Sequence, residues 1–273
     1  MGEITWPTGF SQRDLVGWGN FGFVCLDLST DTVIKSPHLD EHKKHIQIES
    51  AIYKRFEDRG SHVGLLRYFG PYESGIRLQF AENYGLRKYI LDHGRDLSLE
   101  QRLRWCQQIA DALAYIHSSG VIHGDLEVGN VFLDGNLNAK VADFAGSSLD
   151  GSPLLVAVTN SHRYPGPLLS KQADIFALGS TIFEVMCGRA PYDGSTGKDI
   201  TDFFKESKYP ETKSLGPIGD IIMGCWQALR SAGSRPPISL LLAQVSVSTI
   251  AISAFGLLVI SWAARSWVAR SVH

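Results

Sequence analysis

Residues 121–146, VIHGDLEVGNVFLDGNLNAKVADFAG, decide how the rest of this 273-residue chain is read. Two short apolar runs, 131–133 and 140–142, flank a polar turn at Asp134-Gly135-Asn136, the pattern of a β-hairpin. Asp125 precedes the hairpin with Asn130 five residues on, and Asp143 follows it directly. A hairpin returns the chain to where it began, so these three side chains are expected along one edge. Two carboxylates and an amide offer hard oxygen ligands for Mg²⁺, with one carboxylate left to orient or deprotonate a hydroxyl. Phosphoryl transfer is the reaction that needs this set.

Composition narrows the class. Lys and Arg number 26 against 28 Asp and Glu, a net charge of −2, so no nucleic-acid partner is expected. The length and the 44% hydrophobic content suit two modest lobes or one large domain. Cys25, Cys106, Cys187 and Cys225 lie far apart with no CxxC pair, which reads as buried free thiols in a reducing compartment. The histidines show no ligand spacing, and His42 and His45, beside Lys43 and Lys44, read as a solvated helix face. The opening MGEITWPTGF has no basic n-region or apolar h-region, and Trp6 stands where a myristoylation signal needs Ser or Thr. The catalytic part is therefore expected to face the cytosol.

Upstream, residues 15–24, LVGWGNFGFV, fit G-x-G-x-x-G-x-V. Glycines let backbone N–H groups approach phosphate oxygens. β-type residues continue through 23–26 where a dinucleotide fingerprint would open a helix, so the glycines join two strands. Lys35 closes the next strand-like run, 32–35. Residues 40–56 read as a helix with Ile46, Glu49, Ile52 and Tyr53 on one face. A carboxylate facing a core requires a partner, and Lys35 is the available cation. Runs 63–69 and 75–81, separated by Gly70-Pro71, read as two more strands. Residues 99–119 form an amphipathic helix stopped by Gly120, and 174–187 begin as DIFALG and continue as an apolar helix.

Together these motifs resemble the protein kinase family. His123-Gly124-Asp125-Leu126 through Asn130 is similar to its catalytic loop, and Asp143-Phe144-Ala145-Gly146 to its metal-binding triplet with the third position changed. Asp174 to Gly179 is similar to the buried helix whose first Asp ties that loop down. The resemblance implies an α+β, bilobal protein kinase-like fold over residues 10–237. A five-stranded antiparallel sheet plus one helix would occupy about 10–81, and a mainly helical lobe about 82–237. ATP and Mg²⁺ are the implied cofactors, and a protein hydroxyl the implied acceptor. Gly17, Trp18, Gly19, Asn20, Phe21 and Gly22 would then cover the phosphates, with Val24 and Val33 above the adenine and Phe132 below it. The hinge would lie at 79–83, with Leu78 at its back pocket. Lys35 would contact the α- and β-phosphates with Glu49 fixing it, Asp125 would handle the substrate hydroxyl, and Asn130 and Asp143 would hold the metal. His123 and Phe144 would stack to keep the loop in register.

Aminoglycoside-type phosphotransferases share HGDxxxxN but lack the glycine-rich lid and the DxxxLG helix, so a protein substrate is favoured. A nucleotide-binding scaffold without activity is the other alternative, because the chain departs from the family pattern. Gly124 stands where an arginine pairs with an activation-loop phosphate, which removes the main means of switching by phosphorylation there. Glu127 stands where Ser/Thr kinases have a phosphate-contacting lysine and tyrosine kinases have other residues; an anion near the γ-phosphate repels it unless neutralised, and slower turnover is expected. Ala145 restricts the backbone after Asp143, and Pro165-Gly166-Pro167 is the nearest counterpart of A-P-E.

Between Arg235 and Arg265 there is no charged residue. Residues 238–260 would span ~35 Å as a helix, enough for a hydrocarbon core of ~30 Å. They read as a candidate transmembrane helix anchoring a cytosol-facing catalytic domain, followed by a short basic tail, 261–273, in which Trp262, Arg265, Trp267 and Arg270 resemble an interfacial exit. The competing reading is a last helix packed on the second lobe, since Cys225-Trp226 followed by Arg235-Pro236 resembles the end of many kinase domains.

Overall fold

In the computed structural model, which describes residues 5–227, the glycine-rich stretch joins β1 (Leu15–Trp18) to β2 (Gly22–Asp27) as an antiparallel pair. β3 (Thr32–Pro37) pairs with β2, and β4 (Tyr68–Tyr72) and β5 (Gly75–Gln79) complete a five-stranded antiparallel sheet in the order β1-β2-β3-β5-β4. α1 (Lys43–Asp58) buries Ile46, Glu49, Ile52, Tyr53 and Phe56, the face expected from their spacing. The first half is thus the expected sheet with one helix.

One strand is misplaced by the sequence reading. The run expected at 63–69 enters the sheet as a strand only from Tyr68, with Leu65 making an isolated parallel bridge to Val141, and Gly70-Pro71 falls inside β4 and does not end it. Gly70 takes φ +113°, where the register against β5 slips, and β4 is an edge strand, where a proline costs no ladder bond. The chain reverses after Tyr72, with Glu73 at φ +52°.

The second half is mainly helical. α2 (Leu86–His93) leads to α3 (Leu99–Ser118), whose N-terminus is capped by Ser98 Oγ accepting from Gln101 N–H at 3.1 Å. α3 stops at Gly120, φ +79°. Then come β6 (Val121–Ile122), the hairpin of β7 (Val131–Leu133) and β8 (Ala139–Val141), and β9 (Ser148–Leu149), which pairs with β6. The hairpin loop is wider than the expected three residues. The Asp134 carboxylate accepts from the N–H groups of Asn136 and Asn138 at 3.0 and 2.8 Å, which rounds the turn around it.

α4 (Lys171–Cys187) begins three residues before the expected Asp174, because Ser170 Oγ caps the Ala173 N–H at 3.2 Å. α5 (Gly197–Lys205) and α6 (Pro217–Gln227) close the described chain. Trp226 is fully buried, its Nε1–H donating to Ser180 Oγ on α4 at 3.0 Å, so α6 is fastened to α4 by both packing and a hydrogen bond. Cys25, Cys106 and Cys225 are buried free thiols as expected, whereas Cys187 is exposed at the last turn of α4. Among the described residues no helix is long and apolar enough to cross a membrane. The run 238–260, the tail 261–273 and positions 228–237 of the expected second lobe lie outside the described residues.

Candidate active site

The pleat of the sheet does the first positioning. Val24 lies directly opposite Lys35, and Val33 is two residues from Lys35 on β3, so all three side chains share one face. From that face the Lys35 ammonium reaches Glu49 Oε2 on α1 at 2.6 Å and Asp143 Oδ1, just beyond the hairpin, at 2.7 Å. Glu49 is 1% exposed. Its other oxygen accepts the Phe144 N–H at 3.2 Å, which ties α1 to the Asp143 segment a second time. Burial works against the Lys35 charge, but Asp143 and Glu49 outweigh it and hold the proton above the usual lysine range. Burial likewise opposes the Asp143 anion, yet the neighbouring Lys35 keeps its carboxyl below the ordinary value. Asp143 adopts φ +67°, uncommon for a residue with a side chain, and is held there by these contacts. Phe144 packs edge-on against Tyr53 and Phe56 at 5.3 and 5.2 Å, and its ring lies 5.1 Å from that of His123 at 54°, a tilted contact where stacking was expected.

Asp174, buried at the start of α4, holds the loop that carries Asp125. Its carboxylate accepts from the His123 and Gly124 N–H groups, both at 2.8 Å, and lies 2.8 Å from His117 Nε2. Asn130 Nδ2 donates to the Asp125 carbonyl at 2.7 Å and to its Oδ2 at 3.1 Å. Asp125 and Asn130 are therefore joined by two hydrogen bonds, with the Asn130 amide oxygen left for another partner. The Asp125 carboxyl is pushed up to about 7, first by burial and then by the Glu127 anion. Asn20 and Phe21 from the glycine-rich turn line the same small cavity as Asp125, Asp143 and Val156.

Two aromatic side chains of the glycine-rich turn are occupied by histidines. Trp18 is 60% exposed and lies over His38 at 4.1 Å, while His38 Nε2 sits 2.7 Å from the Gly19 carbonyl. Phe21 stacks on His45 at 3.7 Å, and His45 Nδ1 lies 3.0 Å from the Ala145 carbonyl. The reading of His45 as solvated is thus overturned: it is buried, because the turn folds down over the start of α1. Across the cleft, half-buried Phe132 sits in β7, which is joined to the 79–84 stretch by Leu133 N–H donating to the Tyr84 carbonyl at 2.8 Å and Asn83 N–H to that of Leu133 at 3.1 Å. Leu78 is buried.

Glu127 does not stand as an uncompensated anion. Arg87 Nη1 donates to its Oε1 at 3.2 Å and Thr159 Oγ1 to its Oε2 at 2.9 Å. The same arginine grips both oxygens of Glu184 on α4, at 2.8 and 3.3 Å. Arg87, Thr159 and Glu184 escaped the sequence reading, since they lie 40, 32 and 57 residues from Glu127. The single local signal was the anion itself, which demands a cation somewhere in the fold.

Comparison with known proteins agrees with this geometry. A family model described as protein kinase domain matches residues 10–231. The chain is 30% identical over 151 residues to the serine/threonine-protein kinase PrkC of Bacillus subtilis, covering 52% of this chain and 23% of that protein. It is 26% identical over 236 residues to the megakaryocyte-associated tyrosine-protein kinase of Rattus norvegicus, covering 81% and 50%. It is 31% identical over 173 residues to the NUAK family SNF1-like kinase 1 of Mus musculus, covering 59% and 24%. The matched part is thus at most half of these relatives. With the family model spanning most of the chain and the ion pair between Lys35 and Glu49 formed beside Asp143, the chain belongs to the protein kinase domain family.

Proposed function

We propose that this domain transfers the γ-phosphoryl group of Mg-ATP to a hydroxyl of a protein substrate. The observation that carries the reading is the convergence of Lys35, Glu49 and Asp143 within 2.7 Å across the two halves, with Asp125 and Asn130 hydrogen-bonded to each other nearby. An ammonium held by two carboxylates is aimed before any ligand arrives, which suits it to bind α- and β-phosphate oxygens. Gly17, Trp18, Gly19, Asn20, Phe21 and Gly22 would cover the phosphates, with the Gly19 N–H already donated to the Gly22 carbonyl at 2.9 Å and the Trp18 and Phe21 rings engaged with His38 and His45. Val24 and Val33 would close over the adenine ring and Phe132 would lie beneath it.

Asn130, through its amide oxygen, and Asp143, through the carboxylate oxygen not bound to Lys35, are hard donors that fit Mg²⁺. When bound, the metal supplies charge neutralisation to the phosphates. Asp125 accepts or orients the proton of the substrate hydroxyl, and its partner Asn130 fixes the carboxylate that does so. The relatives' names include serine/threonine and tyrosine kinases, so the acceptor hydroxyl is assigned no further. From the charge-free run 238–260 we also read a membrane anchor with the catalytic domain on its cytosolic side, tested by whether the full chain stays with alkali-washed membranes.

The test is transfer of labelled γ-phosphate from ATP to a mixture of protein substrates, run beside Asp125→Asn. Transfer that depends on Asp125 is expected. Equal labelling by the two proteins removes the enzyme reading and leaves the silent scaffold.

A further inference from the structure

We propose that α2 supplies, through Arg87, the cation beside the catalytic loop, and that Glu127, joined to Thr159, is a positioning residue that holds the segment 154–162 against that loop. The inference rests on the kinase reading above. Four separate elements meet in this cluster. Arg87 belongs to α2, Glu127 to the loop carrying Asp125, Thr159 to the stretch after β9, and Glu184 to α4. Three guanidinium nitrogens are used, two of them on both oxygens of Glu184, so the fork is fixed in plane and its remaining bond points at Glu127.

The charges explain why the pair is kept together. The Glu127 and Glu184 side chains are 15% and 8% exposed, and carboxylates so poorly hydrated require a cation. Lys35 is committed to Glu49 and Asp143. His162 is fully buried with Nε2 3.9 Å from Glu184 Oε2, and its burial keeps it neutral at ordinary pH. Arg87 is left as the one cation against two carboxylates, so the cluster keeps a net charge of −1, felt at Asp125. The loop also makes room for it: a Cβ on Gly129 would come within 2.6 Å of Glu127 Oε1 and 2.8 Å of Arg87 Nη1.

Thr159 gives the cluster its role. Gly124 supplies no cation for a phosphorylated segment, and its own backbone packs on Leu154. The segment is attached instead by that apolar contact, by the Leu155 N–H donating to the Gly146 carbonyl at 2.9 Å, and by the Thr159 hydroxyl on Glu127 Oε2. Glu127 thus gives the segment a fixed acceptor on the catalytic loop, and no modification is required to seat the segment beside Asp125. A lysine at 127, the residue Ser/Thr kinases would suggest, removes the acceptor for Thr159 and sets two cations face to face.

The test compares kcat and KM for Glu127→Gln, Glu127→Lys, Thr159→Val, Thr159→Ser and the double variant Glu127→Gln/Thr159→Val. Loss of one charge-assisted hydrogen bond corresponds to about tenfold. We expect Glu127→Gln and Thr159→Val each to lower kcat about tenfold with KM for ATP little changed, the double variant to be no slower than the worse single, and Thr159→Ser to retain wild-type kcat. Glu127→Lys is expected to be slower than Glu127→Gln. The proposal is overturned if the two single losses multiply in the double variant, or if Glu127→Lys outpaces the wild type. Should the wild type transfer no more phosphate than Asp125→Asn, the kinase reading fails by itself. The clamp is then judged by amide hydrogen exchange of residues 154–162, expected to quicken about tenfold in Thr159→Val and Glu127→Gln and overturned by unchanged rates.

Discussion

Lys35 and Asp143 stand 108 residues apart in the chain and 2.7 Å apart in space, so the sheet and the helical half are joined by an ion pair at the place where the nucleotide phosphates are proposed to bind. Replacing Lys35 by Met leaves Glu49 buried without its cation, which is expected to cost about 3 kcal/mol of stability. Phosphate transfer is expected to fall at least about 100-fold. Urea unfolding and a transfer assay read the two effects separately. An unchanged unfolding midpoint would show that the buried carboxylate has another partner.

Asp125 is expected to matter for turnover and not for nucleotide affinity, because its bonds are to the Asn130 amide and not to the Lys35 cluster. Asp125→Asn should lower kcat about 10²- to 10³-fold with ATP binding within about twofold of wild type. Calorimetric titration of ATP together with initial rates decides it; a variant that loses binding and turnover together would place Asp125 among the binding groups.

Two buried histidines make the fold acid-sensitive. Burial lowers the His162 imidazole to about 4 and draws His123 down in the same direction. Below about 6.5 the unfolded chain takes up a proton at each of these rings while the folded chain refuses it. Stability is therefore complete at neutral pH and falls as pH drops from about 6.5 toward 4, by on the order of 3 kcal/mol for His162. His162→Gln should flatten the lower part of the curve of unfolding free energy against pH; an unaltered slope between pH 6 and 4.5 would contradict this.

Restoring the family's arginine at position 124 is expected to harm the protein. Gly124 has φ +76°, and a Cβ there would collide with the Leu154 side chain. Left-handed backbone and overpacking together should cost Gly124→Arg about 3 kcal/mol. A melting temperature equal to that of wild type would mean that the loop can rearrange around the new side chain.

Local pattern carried much of the site. Glycine spacing, the amphipathic face that includes Glu49, and the hairpin between Asn130 and Asp143 are short-range features, and each lies in the fold where its spacing indicated. The Lys35 and Glu49 pairing was legible for a related reason: an inward-facing carboxylate needs a cation, and one was near. The placement of β4 was not legible, since Gly70-Pro71 ends a strand in the interior of a sheet but not at its edge, and edge position is a property of the assembled sheet. His45 was misjudged because its burial depends on Phe21 folding across from the glycine-rich turn.

What the chain determined by itself is the set of chemical groups and the elements that carry them, because periodicity and turn chemistry act over a few residues. Tertiary structure alone decided which groups partner Glu127. Arg87, Thr159 and Glu184 are drawn to Glu127 from three distant elements, since a poorly hydrated charge is satisfied by whichever partner folding brings within reach and not by one at a fixed spacing.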